Sequence, residues 1–297
     1  MYKRQLEYLI SVGVYHNQTS TLAEKLISEL VNYREHWGIE NVSVGISGGI
    51  DSAVTANLFK QAGWRVLPVM MSINQKSDEV DRGREVCEQL GVTYVERDLT
   101  EMYEYNVKNM SEYHDGIDSD THHGKIRRGN IRARLRMQTL YDFASQISGC
   151  VASTDNFSEL AAGFWTLHGD VGDIAPIQSL TKSWEVPKLA QHLGAPQSVI
   201  DAKPTDGLGI ANGDEEQLGV SYLEFDICLF AIMRELDVSN ASTDDLAKID
   251  VVRQRIKSSG YKRSNPYNLM HPVETLRYQA LEKLDNQLQN REQNITL

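Results

Sequence analysis

No stretch of this sequence approaches the ~20 apolar residues that a helix needs to cross a bilayer, so no membrane role is indicated. The amino terminus, MYKRQLEYLISVGVYHNQ, carries two early basic residues. It has no clean apolar core and no small-residue cleavage site, so it does not read as a secretion signal. Cysteine is scarce. Cys87, Cys150 and Cys228 lie far apart, share no metal-ligand spacing and sit among apolar residues, which argues for buried thiols in a cytoplasmic protein over a disulfide framework. Basic residues are outnumbered, 30 Lys and Arg against 41 Asp and Glu, for a formal charge of −11. A chain of that sign does not bind nucleic acid nonspecifically, which needs an excess of cations facing phosphates. Internal repeats and low-complexity linkers are absent as well.

What is present is an ordinary globular composition, 41% hydrophobic and 24% charged over 297 residues. That length fits one large domain or two small ones with a full core. Arginine is concentrated in KIRRGNIRARLRM, from Lys125 to Met137, so a local basic pocket can exist within an acidic chain.

Apolar spacing at Leu22, Leu26, Ile27, Leu30 and Val31 predicts a helix from Ser20 to Trp37. Strands are expected at Asn41 to Ile46, Trp64 to Met71, Val92 to Asp98 and Gly149 to Ser153. Helices are expected between them, at Ala53 to Gln61, Asp78 to Leu90 and Asn130 to Gln146. This alternation predicts a parallel sheet covered by helices on both faces. Beyond Asp173 the pattern turns helical, at Ser183 to Leu193, Tyr222 to Leu236, Thr243 to Ser259 and Val273 to Glu292. Two polar, turn-rich stretches, Tyr113 to Gly129 and Lys203 to Gly213, read as loops, with lid character beside a nucleotide site.

The most informative segment is Val44-Gly45-Ile46-Ser47-Gly48-Gly49-Ile50-Asp51-Ser52, which follows a strand and opens a helix. Small residues there let main-chain N–H groups approach an anion, and the helix terminus adds partial positive charge. Ser47 and Ser52 add hydroxyls. Asp51 is a carboxylate beside a phosphate site, which calls for a divalent cation between them. Neither G-x-x-x-x-G-K-[ST] nor G-x-G-x-x-G is present, so this is neither a Walker A loop nor the dinucleotide fingerprint. Other readings of single residues stand beside these. Asp51 can be a helix N-terminal charge, Glu159 a cap, and Arg132, Arg134 and Arg136 a solvated helix face. His122 and His123 are read as solvated and not as a metal site.

SGGIDS resembles the pyrophosphate loop of the N-type ATP pyrophosphatases, which cleave ATP to AMP and pyrophosphate. Further segments select one branch. Gly129-Asn130-Ile131-Arg132-Ala133-Arg134-Leu135-Arg136-Met137 resembles the GN-x-x-AR-x-RM helix of the NAD synthetase family. Ser153-Thr154-Asp155-Asn156-Phe157-Ser158-Glu159 resembles its GT-x-N-x-x-E turn. Gly169-Asp170 through Asp173 to Pro176, with Leu180 and Lys182, resembles its GDG-x-x-D-x-x-P stretch. Lys203-Pro204-Thr205, Asp214-Glu215 and Leu218-Gly219 to Tyr222 resemble its PT…DE…LG-x-x-Y segment. Lys262-Arg263 with Pro266 matches its closing basic pair.

The resemblance implies an α/β, Rossmann-like fold with a helical C-terminal region. It implies one domain over 1–297, of which 20–266 carry the likeness and 267–297 form a helical extension. The implied reaction is a C–N ligation: ATP adenylates deamido-NAD and ammonia displaces AMP. Gly45, Ile46, Ser47, Gly48, Gly49, Ile50, Asp51 and Ser52 would hold the ATP phosphates, with Thr154, Lys182 and Thr205 also on ATP. Asp51 and Lys182 would be catalytic, Asp51 and Glu159 would bind Mg²⁺, and Arg134, Asp173 and Lys262 would meet the nucleotide acceptor. A homodimer is implied. So is ammonia that is free or comes from a separate protein, because no glutaminase-sized segment precedes Ser20. The sequence departs from the family at Leu167-His168, where a lysine usually follows the threonine, at a shortened GDVGD, and at Tyr261-Lys262. All three lie near the acceptor. Nicotinate mononucleotide is therefore the alternative acceptor. A tRNA thiolase is disfavoured by charge and cysteine placement, and a non-catalytic nucleotide sensor by Asp51, Glu159 and Lys182.

Overall fold

A computed structural model describes residues 18–113, 115–204, 208–210 and 213–263. Four strands form one sheet: β1 Asn41–Gly45, β2 Arg65–Ser72, β3 Val95–Asp98 and β4 Cys150–Val151. Their order is β3-β2-β1-β4 and every pair is parallel, with Val42 opposite both Val66 and Cys150. The chain steps outward from β1 to β3, then returns to the other side of β1. In an open parallel sheet, the crevice at such a reversal is where ligands bind.

The helices are α1 Thr19–Trp37, α2 Ile50–Gln61, α3 Ser77–Leu90, α4 Thr100–Ser111 and α5 His122–Gln146, followed by α6 Phe157–Ala162, α7 Glu185–His192, α8 Gln197–Ile200, α9 Asp214–Leu218, α10 Tyr222–Met233 and α11 Thr243–Ser258. Alternate strand residues face opposite layers. Val42, Val44 and Met70 enter a core with Leu30, Phe59, Leu90 and Leu189 from α1, α2, α3 and α7. Val69 and Met71 enter a second core with Tyr103, Ile131 and Leu135 from α4 and α5. Both faces are therefore covered, as expected. Trp64 shows the fit of the first core: its ring meets Phe59 edge-on at 5.2 Å, and its Nε1 donates to the Leu30 carbonyl at 3.1 Å. A third core joins α6, α10 and α11 through Ala161, Phe225, Leu229, Ile249 and Val252. The last two helices start at capping boxes, Ser221 with Glu224 and Ser242 with Asp245.

The expected strand 149–153 is shorter, with only Cys150–Val151 in the ladder and one further bridge from Ala152 to Ile174. The expected loop 113–129 is half wrong. Helix α5 begins at His122, where the Thr121 hydroxyl accepts from Gly124 N. Two glycines of this stretch permit close approach: a Cβ on Gly124 would lie 2.5 Å from the Ser119 carbonyl oxygen, and one on Gly129 would meet Ile210 at 3.0 Å. Helix α4 had no sequence expectation. The helix expected at Val273 to Glu292 lies outside the described residues. All three cysteines are buried and free. No described helix is long and apolar enough to cross a membrane. The chain divides into two compact units at Ser259 and Gly260. Of the second unit, the described part is the 3₁₀ turn Gly260–Arg263.

Candidate active site

The β1–α2 turn is built by its own side chains. Ser52 Oγ donates to the Gly49 carbonyl at 2.9 Å and accepts from Ser47 N at 3.3 Å, and Gly49 N donates to Ser47 Oγ at 3.2 Å. Gly48 adopts φ 80°, and a Cβ there would lie 2.2 Å from the Glu79 carbonyl oxygen of α3. Only glycine satisfies both conditions. Gln75 secures the turn from outside, its Nε2 donating to the Ser47 carbonyl at 3.1 Å. The N-cap of α2 is Gly49, which offers no side-chain cap, so the first-turn N–H groups of the helix are not capped by it and suit an anion.

Asp51 sits in the first turn of α2, and its carboxylate is held from two directions. Asn156 Nδ2 donates to Oδ1 at 3.1 Å, and Lys182 Nζ donates to Oδ2. The same ammonium lies 3.7 Å from Glu159 Oε1 and 5.6 Å from the centre of the Tyr222 ring. Glu159 divides its two oxygens. Oε2 accepts from Asn156 N at 3.2 Å and completes a capping box on α6, while Oε1 faces Lys182. Glu159 is thus a cap, as one reading had it, and also a charge beside Lys182. Tyr222 Oη donates to Asp214 Oδ2 at 3.1 Å and approaches Glu159 Oε1 at 3.5 Å.

Lys182 is buried. Burial alone would lower its pKa, but the charges of Asp51 and Glu159 outweigh that and raise it above the ordinary lysine value. The ammonium is therefore charged at any physiological pH. Burial pushes the Glu159 carboxyl well up, against the pull of Lys182. Asp155, one residue before Asn156, is buried and pushed up to about 7 by burial and by the charge of Asp170. The site is a compact set of carboxylates sharing one cation.

Thr154 is half-buried in the segment after β4. Thr205 lies outside the described residues. Arg134 is exposed on α5, its Nε and Nη2 donating to the Leu167 carbonyl at 3.4 and 3.3 Å. The residue at which the family lysine is missing thus offers its main chain to a neighbouring arginine. Asp173 accepts from Tyr141 Oη and from Val151 N, both at 2.8 Å, which ties the shortened GDVGD stretch to β4. His168 is exposed, with φ 56°. Lys262 falls in the 3₁₀ turn of the second unit. Among the described residues, no group of three or more His, Cys, Asp or Glu is arranged to hold a metal ion. Asn156, Asp214 and Tyr222 had no role from the sequence, although all three stand in its motifs.

Fold and site together define a parallel α/β nucleotide-binding enzyme, with a glycine-rich anion turn set beside a buried lysine–carboxylate cluster. The match is specific. The NAD synthase family model covers residues 22–266, and the chain belongs to that family. It is 37% identical over 202 residues to the NH₃-dependent NAD⁺ synthetase of Alkaliphilus metalliredigens, covering 67% of this chain and 81% of the relative. It is 35% identical over 249 residues to that of Methanocaldococcus jannaschii, covering 82% and 92%. Among solved structures, the NMN synthetase of Francisella tularensis superposes with a TM-score of 0.73 at 26% identity, covering 86% of this chain and 99% of that one. The NH₃-dependent NAD synthetase of Campylobacter jejuni gives 0.69 at 25%, covering 85% and 100%.

Proposed function

We propose that this chain is a C–N ligase that amidates deamido-NAD with ammonia at the expense of ATP, giving NAD, AMP and pyrophosphate. One observation carries the reading: in a chain matched to the NAD synthase family over 22–266, Asp51, Glu159 and Lys182 from three separate motifs meet at one point beside the SGGIDS turn.

A carboxylate does not exchange its oxygen for ammonia, because oxide is too poor a leaving group. In the first step the pyridine carboxylate of deamido-NAD attacks the α-phosphorus of ATP, and the bond to the β-phosphate breaks. In the second, ammonia attacks the carbonyl carbon of the mixed anhydride, loses a proton, and AMP leaves with the former carboxylate oxygen. No side-chain nucleophile is needed, so positioning and charge stabilisation supply the rate. The N–H groups of Gly48 to Ser52 and the hydroxyls of Ser47 and Ser52 would hold the phosphates. Lys182 would neutralise charge as pyrophosphate departs, and Thr154 and Thr205 would contact ATP. Arg134, Asp173 and Lys262 are assigned to the acceptor.

Asp51 and Glu159 present hard carboxylate oxygens to one shared cationic position, a donor set that suits Mg²⁺. These two residues would hold the ion, which would supply charge neutralisation between the phosphate groups. Lys182 would then exchange a carboxylate partner for a phosphate. We also take residues 1–297 as one domain, of which 20–266 carry the likeness, acting as a homodimer on the strength of the resemblance. The three free thiols support a cytoplasmic setting, and the net charge supports a protein that binds no nucleic acid.

Nicotinate mononucleotide is the second acceptor to test. It is favoured by the likeness to an NMN synthetase and by the engagement of Arg134 with the Leu167 carbonyl, where the family lysine is absent. The test is product analysis with ATP, Mg²⁺, ammonia and either nucleotide. The expected products with deamido-NAD are NAD, AMP and pyrophosphate in equal amounts. A much higher kcat/KM for the mononucleotide reverses the substrate assignment. No AMP with either nucleotide removes the ligase reading.

A further inference from the structure

Helix α10 reads YLEFDICLFAIM, apolar except near its start, yet Asp226 in its middle is completely buried. Its neighbours Phe225, Ile227, Cys228 and Leu229 are buried apolar residues. A carboxylate placed there is costlier to bury than a neutral polar group unless its oxygens are fully bonded.

The bonds that Asp226 receives all come from the Lys182 segment and from α6. Ser158 Oγ donates to Oδ1 at 2.5 Å. Ser183 N and Ser183 Oγ donate to Oδ2 at 3.1 and 2.5 Å. Because Ser158 gives its one proton to Asp226, its oxygen is left to accept, and it accepts from Lys182 N at 2.9 Å. The main chain of Lys182 is thus gripped on both sides, at its own N–H through Ser158 and at the next residue directly. Ser158 also precedes Glu159 on α6. One buried carboxylate therefore fixes the backbone that carries the ammonium and the helix that carries its second partner. Charged acceptors make the stronger hydrogen bonds, which suits a fixed point better than a neutral side chain would.

We propose that Asp226 is a positioning residue for the reaction, holding the Lys182 ammonium in register with Asp51 and Glu159 through Ser158 and Ser183. The proposal rests on the assignment of Lys182 given above. Asp226 is fully buried against Ser158 and Ser183 and reaches the site only through them. It acts by preventing the lysine segment from shifting as its partner changes from carboxylate to phosphate.

The test is Asp226→Asn in the full chain. An amide replaces one of the two carboxylate oxygens with an N–H donor, so one serine loses its acceptor and the relay cannot persist with the same polarity. The expected result is a fall in kcat of at least about tenfold with KM for ATP within about twofold, because the turn still binds ground-state phosphates while the transition state loses its placed charge. Ser158→Ala combined with Asp226→Asn is expected to be no slower than Asp226→Asn alone, since both act on one chain of bonds. A readout independent of turnover is acetylation of Lys182 by acetic anhydride, followed by peptide mass spectrometry against the exposed Lys257. Lys182 is expected to react several-fold faster in the variant. A kcat within threefold of wild type overturns the proposal, as does unchanged labelling of Lys182 or an effect confined to KM. If Asp226→Asn does not fold, Ser158→Ala and Ser183→Ala carry the same expectations, each removing one side-chain bond to the carboxylate. If the wild-type enzyme releases no pyrophosphate, the ligase reading falls and the labelling ratio alone decides the positioning claim.

Discussion

Lys182 donates to Asp51 across 131 positions of sequence, joining the first turn of one helix to the segment before another. Asp51 is placed by the first turn of α2, Lys182 by the segment before α7. The pair sits where the sheet order reverses, so the topology that makes the crevice also brings its opposite charges together.

Replacing Asp51 with Asn is expected to lower turnover at least about a hundredfold, the usual loss when one preorganised charge is removed from a transition state. Lys182 keeps Glu159 as a partner, so the variant is expected to fold. Steady-state pyrophosphate release and circular dichroism together check this, and near-normal turnover at saturating Mg²⁺ would sink the idea.

Gly48→Ala combines a positive φ with a Cβ 2.2 Å from a main-chain oxygen, whereas Gly91→Ala has φ 63° and nothing within 4 Å. The Gly91 variant is expected to lose about 1 kcal/mol, the conformational cost alone. The Gly48 variant is expected to lose clearly more and to raise KM for ATP, because the turn and α3 must separate. Urea unfolding of both proteins with equal midpoints would contradict the packing argument.

Asp155 gives a pH dependence with a definite sign. Its folded-state pKa is raised to about 7, above its unfolded value. The folded protein therefore binds the extra proton, and this contribution to stability is lost as pH rises towards 7. Asp155→Asn is expected to flatten the decline between about pH 4 and pH 7. It is expected to gain on the order of 2–4 kcal/mol relative to wild type across that window. Denaturant titrations of both proteins at pH 5 and pH 8 measure the difference, and parallel curves would refute it.

Arg134→Ala is expected to raise KM for the nucleotide acceptor about tenfold to a hundredfold, the worth of one charge-assisted hydrogen bond, while KM for ATP stays unchanged. Varying each substrate in turn separates the two. An equal rise in both constants would move Arg134 out of the acceptor site.

The strand-to-helix turn was legible because its signal is local: SGGIDS follows an apolar strand and contains the glycines that its own geometry demands. The sheet was legible for the same reason, as short β-rich runs alternating with helical periods. Helix α5 was cut short in the sequence reading because Tyr113 to Gly129 is polar and turn-rich. Within it, Gly129 is there for a non-local reason, the close approach of Ile210. Asp226 was invisible for a related reason. An acid inside an apolar helix looks like a surface position until Ser158 and Ser183 are brought against it. Tyr222 and Asp214 stood in a recognised motif, yet sequence order says nothing of the hydrogen bond between them.

The shortness of β4 bears on how the enzyme comes into being. β4 pairs with β1 through two residues, and Cys150 reaches Asn41 from 109 positions away. Closing so long a stretch for so few ladder bonds yields little until α5 and the Lys182 segment have docked. A chain emerging from the ribosome completes β1, β2 and β3 with their helices well before β4 is made. The anion turn can therefore form on a nascent chain that still lacks Lys182. The order of synthesis thus separates the turn from its lysine partner in time, and the outermost strand on the β4 side of the sheet is the last to be made.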